Sequence, residues 1–174
     1  MNEIELLRDQ LATERRHVRE VASACAAAHA GALPEPGDAA LAALRGACGE
    51  YLGCVLDWFD RRDACLGELY ARGPRDAAGR TALAALDLPG RGREALGKLD
   101  ARGPARESWE ELARFILGPW DARRSAIEAL IASNQRVADW RAFGGIDADS
   151  VCHERALYAR VRAALPSGSP LGPA

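Results

Sequence analysis

The feature that most constrains the fold is an apolar seam at heptad spacing in the first thirty residues. Ile4, Leu7, Leu11, Val18, Val21, Cys25 and Ala28 recur three and four residues apart, the period that places side chains on one face of an α-helix. A helix with such a stripe must cover it with other elements. The rest of the chain supplies helices for this: alanine, leucine, arginine and glutamate dominate, aromatics are 6% and β-branched residues are scarce. Summed helix propensity is therefore high, and the class expected is all-α without strands.

Breakers divide the 174 residues into an antiparallel four-helix bundle with a short helical insertion between helices 2 and 3. The first helix is predicted from Glu3 to Ala30, where "GALPEPG" ends it. Asp38 is the expected N-cap of a second helix reaching Arg72, where "RGP" stops it. The linker is short, so the two form a hairpin, with Glu14 level with Cys54 if the chain folds back around residue 34. "RDAAGRTALAAL" and "REALGKLDAR" are two weaker helical stretches forming a crossover or lid. A third helix from about Ala105 meets Pro119 in "GPW", which must break or kink it. A short helix in "RVADWRAF" and a last helix from about Val151 to Leu165 follow. Residues 1–166 are expected to form one domain, and 167–174 have the composition of a disordered tail.

Composition narrows the function classes. The 23 basic and 25 acidic residues are interspersed, which argues against a nucleic-acid footprint. No uninterrupted apolar run approaches the roughly 18 residues of a membrane span, and "MNEIELL" lacks the pattern of a signal peptide. The chain thus reads as cytoplasmic, with no membrane partner. Its five cysteines, Cys25, Cys48, Cys54, Cys65 and Cys152, show no C-x-x-C pair and read as buried thiols acting as small hydrophobes. Cys54 and Cys65 share a face but are about 16 Å apart along the axis, too far to pair.

The informative residues are charged side chains in seam positions. Glu14 falls midway along the first stripe, between Leu11 and Val18. Arg62 and Asp63 interrupt the second stripe, Leu41, Leu44, Cys48, Leu52, Val55, Phe59, Leu66 and Leu69. Arg123 interrupts the third, Trp109, Leu112, Ile116, Trp120, Ile127 and Leu130. Glu154 enters the fourth, Val151, Tyr158, Val161 and Leu165. An unpaired buried carboxylate costs several kcal/mol, so Glu14 demands a partner, a proton or a cation. One reading is an interior network in which Arg62, Arg123 or Arg124 neutralises Glu14 and Glu154 and sets helix register. Glu154 has another explanation, as a first-turn residue complementing the helix dipole. The competing reading is metal: Glu14 and His17 form a Glu-x-x-His pair aimed at a cation, iron or another divalent metal, with Asp57 or Asp60 and with Glu154 and His153 completing the site.

"ERRHVREV" in the first helix and "YLGCVLDWFDRRDACLGELY" in the second resemble hemerythrin-like domains and, more loosely, ferritin-like di-iron bundles. That resemblance implies a metal or redox centre built from histidines and carboxylates across the bundle. The chain has only His17, His29 and His153, none on the second or third helix, and Asp57 and Asp60 stand where the family's second-helix ligands belong. The implied site is therefore missing or rebuilt from carboxylates. The ferritin-like pattern also wants a second Glu-x-x-His, which is absent.

No G-x-S-x-G elbow, P-loop or G-x-G-x-x-G opens a helix. Cys152 beside His153 is the one thiol with a thiolate-stabilising neighbour, and a pocket at the Gly118-Pro119 kink beside Trp120 is a third candidate. Trp58, Phe59, Trp109, Trp120 and Trp140 read as core or interface aromatics. The function expected is a binding or interaction module, as a homodimer or with a protein partner, with no catalytic motif. The metal-binding bundle is the alternative.

Overall fold

The computed structural model describes residues 3–29, 37–72, 77–88, 90–102, 106–133, 148–166 and 169. The "RVADWRAF" helix, Trp140 and nearly all of the tail lie outside them, as do the side chains of Ile4, Leu7, His29 and Leu130. All elements among the described residues are helical. They are α1 (Glu3–His29), α2 (Asp38–Arg72), α3 (Ala77–Leu86), α4 (Gly92–Arg102), α5 (Arg106–Phe115), a π-helical turn (Ile116–Trp120), α6 (Asp121–Ser133) and α7 (Ala148–Ala164).

The α1 seam behaves as its period requires: Leu11, Val18, Val21, Cys25 and Ala28 are all buried. On α2 the seam residues Leu44, Cys48, Leu52, Val55, Phe59 and Leu66 are buried, but so are Tyr51 and Leu56. The reason is position. α2 is the central element, packed by α1 and α7 and also by α3 and α4, so a single stripe underestimates what it buries. α1 contacts α5, the π turn, α6 and α7 as well.

Two helix boundaries correct the sequence expectation. The first backbone bonds of α2, from Ala40 and Leu41, are accepted by the Gly37 carbonyl, so Gly37 rather than Asp38 occupies the capping position. α7 begins at Ala148, three residues before the expected start. Glu154 therefore lies beyond the first turn and is fully buried, which removes the dipole explanation.

Pro119 neither breaks the chain nor ends the helix. The strand of hydrogen bonds widens to a π turn in which the Asp121 amide donates to the Ile116 carbonyl. This spacing accommodates the amide hydrogen that proline lacks. Ile116 and Trp120 turn fully inward, while Gly118 and Pro119 face out. Gly90, at φ 137°, closes against the turn: a Cβ there would lie 3.1 Å from the Pro119 carbonyl oxygen and from Trp120 Cα. Backbone conformation and space both select glycine. One residue pair later, a Cβ on Gly92 would lie 2.7 Å from Leu56 Cβ, so α4 starts in direct contact with α2.

Candidate functional site

Among the described residues, three groups centred on the buried carboxylates of Glu14, Glu154 and Asp63 tie helices together. In the first, Glu14 of α1 and Arg62 of α2, both buried, meet at 2.5 Å, and Gln10 Nε2, one turn earlier on α1, donates to the other Glu14 oxygen at 3.1 Å. Glu14 is thus paired across the α1–α2 interface. The expected hairpin register placed it beside Cys54. Arg62 is eight residues further on, about two turns. Part of that difference is side-chain direction, since Cβ vectors lean toward each helix's own N-terminus and in an antiparallel pair they lean oppositely.

The second group joins three helices through Glu154 of α7. Its Oε1 lies 2.8 Å from His17 Nδ1 on α1 and accepts from Tyr51 Oη on α2, also at 2.8 Å. Nδ1 donates when it carries the ring hydrogen. Oε2 has no hydrogen-bond partner among the described residues. His17 stacks on Tyr158 with centroids 3.7 Å apart and planes 6° from parallel, and the Tyr158 hydroxyl donates to Glu20. Burial, with Glu154 alongside, pushes the Tyr51 phenol well up from its ordinary value. Burial and the Glu20 contact raise Tyr158 to about 12.

The third group begins at Asp63 of α2, the residue directly after Arg62. Asp63 receives Arg123 through Nε at 3.0 Å and Nη2 at 2.9 Å, and it also receives Arg124. All three are buried. Arg123 Nη1 donates to the carbonyls of Leu86 and, at 2.6 Å, Leu88. Arg124 lies over the rings of Phe59 at 5.0 Å and Trp120 at 5.8 Å. Burial lowers the Arg124 pKa from its usual value, with Asp63 acting in the opposite direction. Two guanidinium groups on one carboxylate are an unusual load for a core, and the aromatic faces and carbonyls supply part of the missing counterpart.

Other sequence candidates fall elsewhere. Asp57 pairs with Arg61 at 2.7 Å and with Arg93. Asp60 accepts from the amides of Gly92 at 3.1 Å and Arg93 at 2.8 Å, capping α4 from another helix. His153 is exposed and lies 5.9 Å from the Trp58 ring. Cys152 and Cys65 are exposed and Cys54 half-buried, so only Cys25 and Cys48 behave as interior thiols. Neither described groove is lined by Gly118 or Pro119.

The proposed metal set of Glu14, His17, Asp57 and Glu154 is thus divided. Glu14 engages Arg62, Asp57 engages Arg61 and Arg93, and only His17 and Glu154 meet. Among the described residues no group of three or more His, Cys, Asp or Glu side chains is placed to hold a metal ion. The interior set of Glu14, Arg62, Arg123 and Glu154 is likewise divided, because Arg123 serves Asp63 and Glu154 is served by His17 and Tyr51.

Sequence reasoning missed Tyr51, which sits off the main α2 stripe, and Arg15. Arg15 binds Asp121 and Glu128 at 2.7 Å each and Ser125 at 2.5 Å, joining α1 to α6. Desolvation opposes its charge, yet Asp121 and Glu128 outweigh it and raise its pKa. An arginine flanking a seam carries no signal of such a role in one dimension.

No family model, curated protein or solved structure matches the chain. The likeness to hemerythrin-like domains gains no support from these comparisons.

Proposed function

We propose that the chain is a non-catalytic interaction module, an antiparallel four-helix bundle of α1, α2, α5 with α6, and α7 carrying α3 and α4 as an insertion, and that it associates with a second copy of itself. The observation that carries this reading is the outer face of α2. By length and composition alone, the helix Ala39–Arg72 contains an 18-residue window apolar enough to cross a membrane, with mean hydropathy 1.3, yet only 33% of that window is buried. The expectation from uninterrupted runs overlooked this because Arg45 and Glu50 interrupt the stretch.

Much of what remains uncovered there is alanine and glycine. Ala43, Gly46 and Ala47 of α2 with Ala163 and Ala164 of α7 line an open groove of about 510 Å³, and the ion pair of Glu50 and Arg160, at 2.7 Å, borders it. Small side chains allow close backbone approach by another helix. A two-fold arrangement lets Glu50 of one copy exchange with Arg160 of the other, so the rim is self-complementary. The interior charge groups fix helix register and leave this outer face to do the binding.

Sedimentation velocity over a hundredfold concentration range tests the proposal. A concentration-dependent dimer that Gly46→Arg converts to monomer is expected. A monomer at every concentration removes the self-association reading.

A further inference from the structure

Tyr51 and Tyr158 form a pair that the self-association reading leaves unused, since neither they nor their partners line the α2–α7 groove. Their ring centroids lie 6.0 Å apart with planes tilted by 55°, an aromatic contact. Each phenol donates to a carboxylate of its own, Tyr51 to Glu154 at 2.8 Å and Tyr158 to Glu20. His17 joins the two sites, stacked on Tyr158 and 2.8 Å from the same Glu154 oxygen. Their surroundings differ. Tyr51 and Glu154 are both at 0% exposure, whereas Tyr158 is half-buried and the Glu20 side chain, at 29% exposure, has Arg16 beside it.

We infer that Tyr158 and Tyr51 are a one-electron redox relay, in which Tyr158 receives an oxidising equivalent at the surface and Tyr51 stores it as a buried neutral radical. The oxidant is a diffusing one-electron acceptor of high potential. It takes an electron from Tyr158, whose Oη–H bond breaks as the proton moves to Glu20. Tyr158 then recovers that proton and takes an electron from Tyr51. The Tyr51 Oη–H bond breaks in turn, and its proton forms a bond to Glu154 Oε1. In sum, Tyr51 loses one electron, the oxidant gains it, and one proton crosses an existing hydrogen bond.

Burial gives the relay its direction. Glu154 accepts as a carboxylate in a dry interior, and its Oε2 has no partner among the described residues, a costly arrangement. Taking the Tyr51 proton removes that buried charge, a gain that the solvated Glu20 does not offer. Burial and then Glu154 push the Tyr51 phenol well up, so its proton leaves only together with the electron. Once formed, the radical is out of reach of dissolved reductants until the helices open locally.

The experiment oxidises the full chain with photogenerated tris(bipyridine)ruthenium(III), using a cobalt(III) ammine as the electron sink, and freezes samples at increasing delays. Electron paramagnetic resonance with ring-deuterated tyrosine separates tyrosyl from tryptophanyl radicals. The wild-type tyrosyl signal should outlive that of Tyr51→Phe by about tenfold or more, because quenching of a buried site waits for local opening. Tyr158→Phe should form the same long-lived signal severalfold more slowly. Glu154→Gln still accepts from Tyr51 but cannot take its proton, so the folded variant should lose the long-lived signal. No tyrosyl signal in the wild type, or an unchanged lifetime in Tyr51→Phe or Glu154→Gln, would overturn the proposal. Should either core variant fail to fold, Tyr70→Phe with Tyr158→Phe decides, since Tyr51 is then the sole tyrosine of the original three. A long-lived tyrosyl signal there supports the buried site, and its absence sinks it.

Discussion

The two charge clusters on α2 answer the same problem in different ways. Around Glu14, one carboxylate meets one guanidinium, Arg62, and a side-chain amide completes the shell. Around Asp63, one carboxylate meets two guanidinium groups, and the surplus is carried by the Leu86 and Leu88 carbonyls and the Phe59 and Trp120 rings. The first arrangement is a two-body lock between α1 and α2. The second is a distributed tie that also fixes the turn after α3, the same turn whose Gly90 seats on Pro119. A matched pair fails when either member is lost, whereas a distributed tie retains partners, and this contrast can be broken by mutation.

Arg62→Met should have the largest effect. It strands the Glu14 carboxylate in a dry interior, and urea unfolding should show a loss of about 3–5 kcal/mol, most of which returns in Glu14→Leu with Arg62→Met. Asp63→Asn should cost less, about 2–3 kcal/mol, because Arg123 keeps its carbonyl acceptors and Arg124 its ring faces. Hydrogen exchange sharpens the point: this variant should lose protection in α3 and the turn after it while α1 and α7 keep theirs. An equal loss everywhere would contradict the distributed description.

Gly92→Ala tests the contact of α4 with α2 without touching charge. The added methyl meets Leu56 Cβ at 2.7 Å, and overpacking of this kind costs about 1–3 kcal/mol, read from the same unfolding curves. The smallest effect is expected from pH. The fold holds the Tyr158 phenol up at about 12, through burial and then Glu20, whereas an unfolded tyrosine titrates near about 10. The folded chain therefore retains a proton that the unfolded chain releases. This contribution is complete below pH 10 and declines as pH rises toward 12. Denaturation at pH 9 and pH 11.5 should show the decline, and Tyr158→Phe should reduce it while leaving the part contributed by Tyr51, whose phenol the fold also pushes up.

How much of this was legible depends on the residue. The seam of α1, the span of α2, the two short helices α3 and α4 and the irregularity at Pro119 follow from local period and breaker chemistry, which neighbours in sequence specify. That Glu14, Arg62, Asp63, Arg123 and Glu154 turn inward follows from the same period. Glu154 as a dipole partner failed because the start of α7 was set three residues late, and Cys65 as an interior thiol failed because its face of α2 is uncovered.

The sequence by itself determined the helical class, most helix spans and which charged residues had to be satisfied inside. The tertiary structure decided the partners: Arg62 out of the three arginines the sequence offered to Glu14, Asp63 rather than a glutamate for Arg123, and His17 with Tyr51 for Glu154. Periodicity fixes the direction in which a side chain leaves its own helix. Which side chain it meets depends on the register between helices, and a shift of one turn, about 5.4 Å, exchanges one partner for another while leaving every stripe intact.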